Sequence, residues 1–200
     1  MRKLLNKNKN SSLAIVILAA GAASRFGSVK QLAVHQNKTL LQHKIDTCCQ
    51  LNQYDSYVVL GAAYQQIIAA TDFGNCQVIH NIHWHSGMSS SIKAAITELG
   101  HLYDGILFLA ADQVLVEYKK LAKLIQCWLK YPTKLITAKF DNQIAIPSIF
   151  PKQYFHELLA LSGDKGGKKV LMAHQENLMC IDLPEAKYDI DRPEDLYKIT

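Results

Sequence analysis

The chain reads as an α/β domain with a mostly parallel central sheet and helices on both faces. Three observations predict this. Short, almost wholly apolar segments such as Leu13–Ala19 and Gly105–Ala110 have the composition of strands buried on both sides. Longer amphipathic segments alternate with them, as in a sheet wound from strand–helix units. The two most apolar strands also break off just before Gly21 and Asp112. Both residues thus fall beyond strand carboxyl ends, where sheets of this kind bind ligands.

Taken in order, the segment 39–51 predicts a helix with Leu41, Ile45 and Cys48 on one face. Residues 55–61 predict a short buried strand, 62–71 a helix and 76–80 a third strand. Ser89 is placed to cap a helix running to Leu99, with Ile92, Ala95, Ile96 and Leu99 as its apolar stripe. After the strand 105–110, residues 117–131 predict an amphipathic helix and 134–140 another strand. Pro147 within 144–150 marks that segment as an edge or bulged strand, because proline cannot donate to a ladder. The remainder predicts a helix over 151–161, a loop over 162–167, a helix to about His174 and a last strand over 178–183. Pro193 opens a short final helix, with Asp191 near the cap position.

Two hundred residues suffice for one domain with a substantial core. Of the net charge of +5, Arg2, Lys3, Lys7 and Lys9 supply four, in a stretch of twelve residues without an acid. Residues 1–12 therefore predict a disordered basic tail ahead of a domain over 13–200. The body is almost neutral and predicts no nucleic-acid partner. The tail and first apolar run imitate a secretory signal with Ala20-Gly21-Ala22 as a cleavage-like site, but cleavage there would delete the first strand and half of the loop after it. Five cysteines, an odd number without a CxxC pair, mostly fall inside predicted elements. They read as small buried side chains of a reducing, cytoplasmic compartment. No apolar run approaches a membrane span.

Four segments carry candidate chemistry. Leu18, Ala19, Ala20 and Gly21 begin a loop poor in side chains, whose backbone N–H groups can approach an anion. Arg25 and Lys30 follow as fixed cations suited to a polyphosphate; an ordinary turn with surface cations is the plainer alternative. Asp112, at a strand tip, is placed to bind Mg²⁺ or simply to close a turn. Asp189 and Asp191 lie two apart, so an extended backbone points both carboxylates the same way, while Asp191 could equally be an N-cap. Asn81 to Ser91, with Gly87, Ser90 and Ser91, forms a loop and helix start able to read a base edge. His80, His83 and His85 in this region match no common zinc spacing. The fourth segment runs from Ala145 and Pro147 to the Gly163–Asp164–Lys165–Gly166–Gly167–Lys168 loop.

Together these motifs resemble those of the MobA-like nucleotidyltransferases. The first, L-A-A-G-x-x-S-R-x-G-x-x-K over residues 18–30, is similar to their signature loop, and L-A-A-D-Q, D-I-D-R-P-E-D-L and N-x-x-W-x-x-G-M-x-x-S resemble three further family segments. The likeness spans residues 13–199 and is strongest to the molybdenum cofactor cytidylyltransferase branch. It implies a single Rossmann-like nucleotidyltransferase domain. It also implies a nucleotide held by the first loop, Arg25, Lys30, Gly87, Ser90 and Ser91, and Mg²⁺ held by Asp112 with Asp191 or Asp189. Pro147, Gly163, Asp164 and Lys168 would face the acceptor. Four positions depart from the family pattern: Val114 for proline, Ala145 for glycine, Lys168 for arginine and Arg192 for threonine.

The implied activity is transfer of CMP from CTP to the phosphate of molybdopterin, with release of pyrophosphate. Arg25, Lys30 and Asp112 would be catalytic. Ala20, where the guanylyl branch carries glycine, agrees with CTP. The alternatives are a guanylyl or sugar-nucleotide transferase, and a non-catalytic chaperone that delivers the finished cofactor to a molybdenum hydroxylase.

Overall fold

A computed structural model describes residues 12–199. The expected tail lies outside the described residues except for Ser12. That residue is hydrogen-bonded through its backbone N–H to the Asp104 carboxylate at 2.8 Å.

Among the described residues nine strands and six α-helices follow one another: β1 Leu13–Ala19, β2 Val34–His35, β3 Lys38–Thr39, α1 Leu40–Cys49, β4 Asp55–Leu60, α2 Tyr64–Ala70, β5 Gln77–His80, α3 Met88–Leu99, β6 Gly105–Ala110, α4 Tyr118–Lys130, β7 Leu135–Phe140, β8 Gln143–Pro151, α5 Phe155–Leu159, α6 Lys168–Ala173 and β9 Leu178–Asp182. Seven strands form the central sheet in the order β5-β4-β1-β6-β8-β7-β9. β8 alone runs against its neighbours; the other pairings are parallel. The fold is thus the expected one.

Alternation along each strand divides the interior into two layers. Ile15, Ile17, Val58, Leu60, Leu107 and Leu109 face α1, α2 and α4. Ala14, Val16, Tyr57, Val59, Ile106 and Phe108 face α3, α5 and α6. Because both faces are covered, these strands are apolar throughout.

Pro147 sits in the interior of the sheet. Its strand is inserted between β6 and β7, not at an edge. The ladder with β7 slips between Thr137 and Ala138, pairing Thr137 with Ser148 and Ala138 with Ala145. Ile146 and Pro147, joined by a cis peptide, fill the bulge, so no ladder bond is asked of the proline nitrogen. Buried hydroxyls stitch the irregularity: Thr137 Oγ1 and Ser148 Oγ are 2.7 Å apart, and both donate to the Ala145 carbonyl.

Other boundaries shift. Residues 151–161 hold a 3₁₀ turn and the short α5. α3 begins at Met88 behind Gly87, and Ser89 is buried in its first turn instead of capping it. The final helix is 3₁₀ over Pro193–Lys198, starting after Arg192. Asp195 accepts there from the backbone N–H groups of Asp191 and Arg192, at 3.0 and 2.9 Å. Asp191 is therefore not the cap. Of the cysteines, all free, Cys48 and Cys76 are buried, but Cys49 and Cys180 are exposed. Among the described residues no helix is long and apolar enough to cross a membrane.

Candidate active site

A cleft of about 740 Å³ opens at the carboxyl edge of β1 and β6. Leu18, Ala19, Ala20, Gly21, Lys30, Gly87, Ser91, Asp112, Asp164, Lys168 and Asp189 all line it. Arg25, Ser90, Pro147, Gly163 and Asp191 do not.

A third, small apolar cluster explains how remote charged segments meet here. Phe26, Leu40, Ile190 and Ile199 pack together with Ala23, Val114, Leu115 and Leu196 against them. The first loop, the turn after Asp112 and the C-terminal acidic segment each contribute apolar residues to it. Val114, the first of the family departures, is one of these packing residues.

The loop after β1 is held from within. The Gln31 side-chain amide donates to the carbonyls of Ala19 and Gly21 at 2.7 and 2.9 Å. The backbone N–H of Ala62 donates to the Ala20 carbonyl at 2.9 Å. Ala23 adopts φ +49°, a left-handed conformation uncommon outside glycine and often found where a loop is constrained for function. Gln31, buried at 6% exposure, carries no motif signal in the sequence.

The charged groups pair across the cleft. Lys30 Nζ lies 2.5 Å from Asp112 Oδ2 and 3.4 Å from Asp191 Oδ1, bridging two carboxylates. Arg25 holds the other oxygen of Asp191 at 2.9 Å, in the open. Asp189 is exposed to the cleft, yet loss of hydration and the nearby Asp112 carboxylate raise its pKa to about 6. The two acids of D-I-D thus part company: Asp189 faces the cleft and Asp191 the cations at its rim. Among the described residues no three His, Cys, Asp or Glu side chains form a ready-made metal cage. The donor set does fit a hard divalent cation, since Lys30 already draws two carboxylates around one positive charge.

The Asn81–Ser91 segment forms the facing wall. Asn81, nearly buried, donates to Ser90 Oγ and Ser91 Oγ at 2.8 and 3.1 Å and accepts from the His83 N–H. Ser90 also donates to the Gly87 carbonyl, so its hydroxyl braces the wall. Trp84 lies so close over Gly61 that a Cβ there would come within 2.4 Å of the Trp84 Cβ. Gly87, at φ +88°, packs onto the Gly163–Asp164 turn, where a Cβ would meet Asp164 Oδ1 and the Gly163 carbonyl carbon at 2.5 Å. The Ser89 N–H donates to the Gly163 carbonyl across the same contact. Phe140, Ile144, Ile146, Phe150 and Leu171 give the cleft an apolar wall. Sequence reasoning did not find this wall, whose residues read only as strand and helix interior.

The family profile described as the MobA-like NTP transferase domain matches residues 15–178. Nicotine blue oxidoreductase of Paenarthrobacter nicotinovorans is 24% identical over 196 residues, covering 92% of this chain and 94% of its own. The bifunctional protein GlmU of Psychrobacter cryohalolentis is 36% identical over 123 residues, covering 57% of this chain but only 26% of its own length. Among solved structures, Rv0371c of Mycobacterium tuberculosis superimposes with a TM-score of 0.81 at 24% identity over 95% of this chain and 98% of its own. A manganese complex of Rv0371c gives 0.78 at 23% identity, over 94% and 98%. Molybdopterin-guanine dinucleotide biosynthesis protein A of Archaeoglobus fulgidus gives 0.69 at 16% identity, over 92% and 95%.

Proposed function

The chain belongs to the MobA-like NTP transferase family, and from that premise we propose that it transfers CMP from CTP to the phosphate of a molybdopterin-type acceptor with the help of Mg²⁺. The observation that carries this reading is the meeting of the Gly21 loop, Lys30 and Asp112 at one cleft edge. These are the parts that binding and reacting a triphosphate require.

An oxygen of the acceptor phosphate attacks the α-phosphorus of the nucleotide in line. A new P–O bond forms, the bond to the β-phosphate breaks, and pyrophosphate carries away the electron pair. The loop from Leu18 to Gly21 and the rim cations orient the triphosphate. Lys30 and Arg25 exchange carboxylate partners for phosphate oxygens, so their charge is in place before reaction. Ser91 and Gly87 stand on the wall that takes the base, while Asp164 and Lys168 meet the acceptor. Lys168 supplies a point charge where arginine would supply a fork. Asp112, with Asp191 or Asp189, would hold the divalent ion, whose charge offsets that gathering on the phosphates.

Thermal stability with CTP, GTP, ATP and UTP, each with and without Mg²⁺ or Mn²⁺, tests this. A metal-dependent rise with CTP is expected, because a ligand bound only by the native state stabilises it. Pyrophosphate release with a molybdopterin acceptor is the second step. A rise with GTP alone redirects the assignment to guanylyl transfer. Nucleotide binding with no turnover favours a cofactor-delivery chaperone. The full-length match to a protein named nicotine blue oxidoreductase, together with the apolar cleft wall, favours one other reading, reduction of a flat organic substrate. Substrate-dependent oxidation of a nicotinamide dinucleotide without pyrophosphate release would support it.

A further inference from the structure

Lys44 lies in the middle of α1 and is 1% exposed. Its Nζ donates to the carbonyls of Gln113 at 2.7 Å and Val116 at 3.0 Å. Both carbonyls belong to the turn that follows Asp112. The Val116 N–H closes that turn on the same Gln113 carbonyl at 3.1 Å. Gln113, also 1% exposed, extends the connection. Its side-chain amide donates to the carbonyls of Ile146 at 3.1 Å and Ala186 at 2.9 Å. One buried hub therefore ties α1 to the Asp112 turn, to the bulge of β8 and to the segment leading into Asp189.

Burying an ammonium group is costly unless it is hydrogen-bonded. A methionine would fill much the same volume without that cost. What the lysine adds is two hydrogen bonds to a single turn, from a rigid helix. The titratable groups around it are Cys48 on its own helix and Asp112 in the loop. It lines no part of the cleft.

We propose that Lys44 is a positioning residue for the Asp112 carboxylate, acting through the Gln113–Val116 turn. The catalytic consequence rests on the nucleotidyltransferase reading; the positioning itself does not. Without Lys44 the two carbonyls lose their partner, the turn loosens, and Asp112 no longer meets Lys30 in one arrangement.

The test compares the full-length protein with Lys44→Met and Lys44→Gln by amide hydrogen exchange and by the ¹³C shift of the Asp112 carboxyl, both without ligand. In Lys44→Met the Val116 amide is expected to exchange at least about tenfold faster, the change that loss of one hydrogen bond from a charged donor produces. The β1 amides should stay unchanged and the Asp112 carboxyl shift should move. Lys44→Gln, which keeps an amide donor, should lie between. Unchanged Val116 exchange, an unmoved Asp112 shift, or equal acceleration of the β1 amides overturns the proposal. Failure of both variants to fold also overturns it, since Lys44 would then serve the whole fold. Mn²⁺ binding with CTP, followed by loss of the free-ion EPR signal, is measured alongside. Weaker binding in Lys44→Met is expected, and equal binding in both proteins counts against the positioning role. If the unaltered protein binds neither ligand, the nucleotidyltransferase reading falls while exchange and carboxyl shift still decide the positioning.

Discussion

Lys30 Nζ and Asp112 Oδ2 are 2.5 Å apart, joining residues 82 positions distant in the chain. Their side chains retain 17% and 19% of their exposure, so solvent screens the pair little. Lys30 stands between carboxylates suited to a metal, and its charge holds them together before any ligand arrives. On the proposed reading, a divalent ion would compete with Lys30 for these carboxylate oxygens, and nucleotide phosphates would compete with the carboxylates for Lys30.

Asp112→Asn is expected to lower turnover at least about 100-fold while the fold survives. The amide keeps the shape but not the charge, and Lys30 retains Asp191 at 3.4 Å. Steady-state kinetics with circular dichroism decides it. Retained turnover would remove Asp112 from the chemistry.

Arg25→Ala should separate site from scaffold. The Arg25 side chain is 67% exposed, so stability should change by no more than about 0.5 kcal/mol. Nucleotide affinity should fall about tenfold, the scale of one lost charge-assisted contact. Calorimetric titration and thermal melting measure the two effects independently.

Gly87→Ala should be disproportionately harmful. Its φ of +88° and the 2.5 Å approach to Gly163 and Asp164 leave no room for a methyl group. A loss of about 2 kcal/mol is expected, or roughly 4–8 °C in Tm for a domain of this size. Wild-type stability in this variant would mean that the two loops part easily.

Alkaline stability carries the mark of Lys44. Burial lowers its pKa to about 8. Below pH 8 both states are protonated and the folded state bears the full penalty of the buried charge. Between about 8 and 10.5 the unfolded chain keeps a proton that the folded one has released, so stability rises with pH, by on the order of 3 kcal/mol in all. Cys48 and Cys76 act oppositely. Burial raises both thiols to about 12, so stability falls once the unfolded thiols ionise near pH 9. These groups together predict a maximum near pH 9. Lys44→Met should abolish the rise between pH 8 and 9 and leave the fall, which denaturant titrations across pH 7–11 would show.

Much of this was legible in sequence because parallel strands declare themselves. β1 and β6 begin and end where their apolar runs do, since burial on both faces leaves no polar position to blur them. The β2–β3 hairpin was missed: it is two residues to a strand, turned by Gln36 and Asn37 at φ +46° and +63°, too short for any period to register. The interior place of β8 was missed because Pro147 signals an edge, and nothing local reveals a bulge built from distant Thr137. Lys44 carries no signal in the sequence, since lysine side chains are ordinarily solvated. Its burial depends on a turn 69 residues away. The convergence of Gly21 and Asp112 was visible from strand ends, whereas Gln31 and the apolar wall required the folded chain.

The reversed direction of β8 has one further consequence. Its first residues, Gln143 to Ile146, stand at the same rim as the last residues of β1 and β6, and reach it through the turn at Asp141–Asn142. The charged groups of the cleft and its rim come from the loop after β1, from Asp112 and from the Asp189–Asp191 segment, whereas the apolar wall comes from β7, β8 and α6. On the proposed reading, exchanging the Asp141–Asn142 turn and its flanks would reshape the wall that faces the acceptor while Gly21, Lys30 and Asp112 stay as they are.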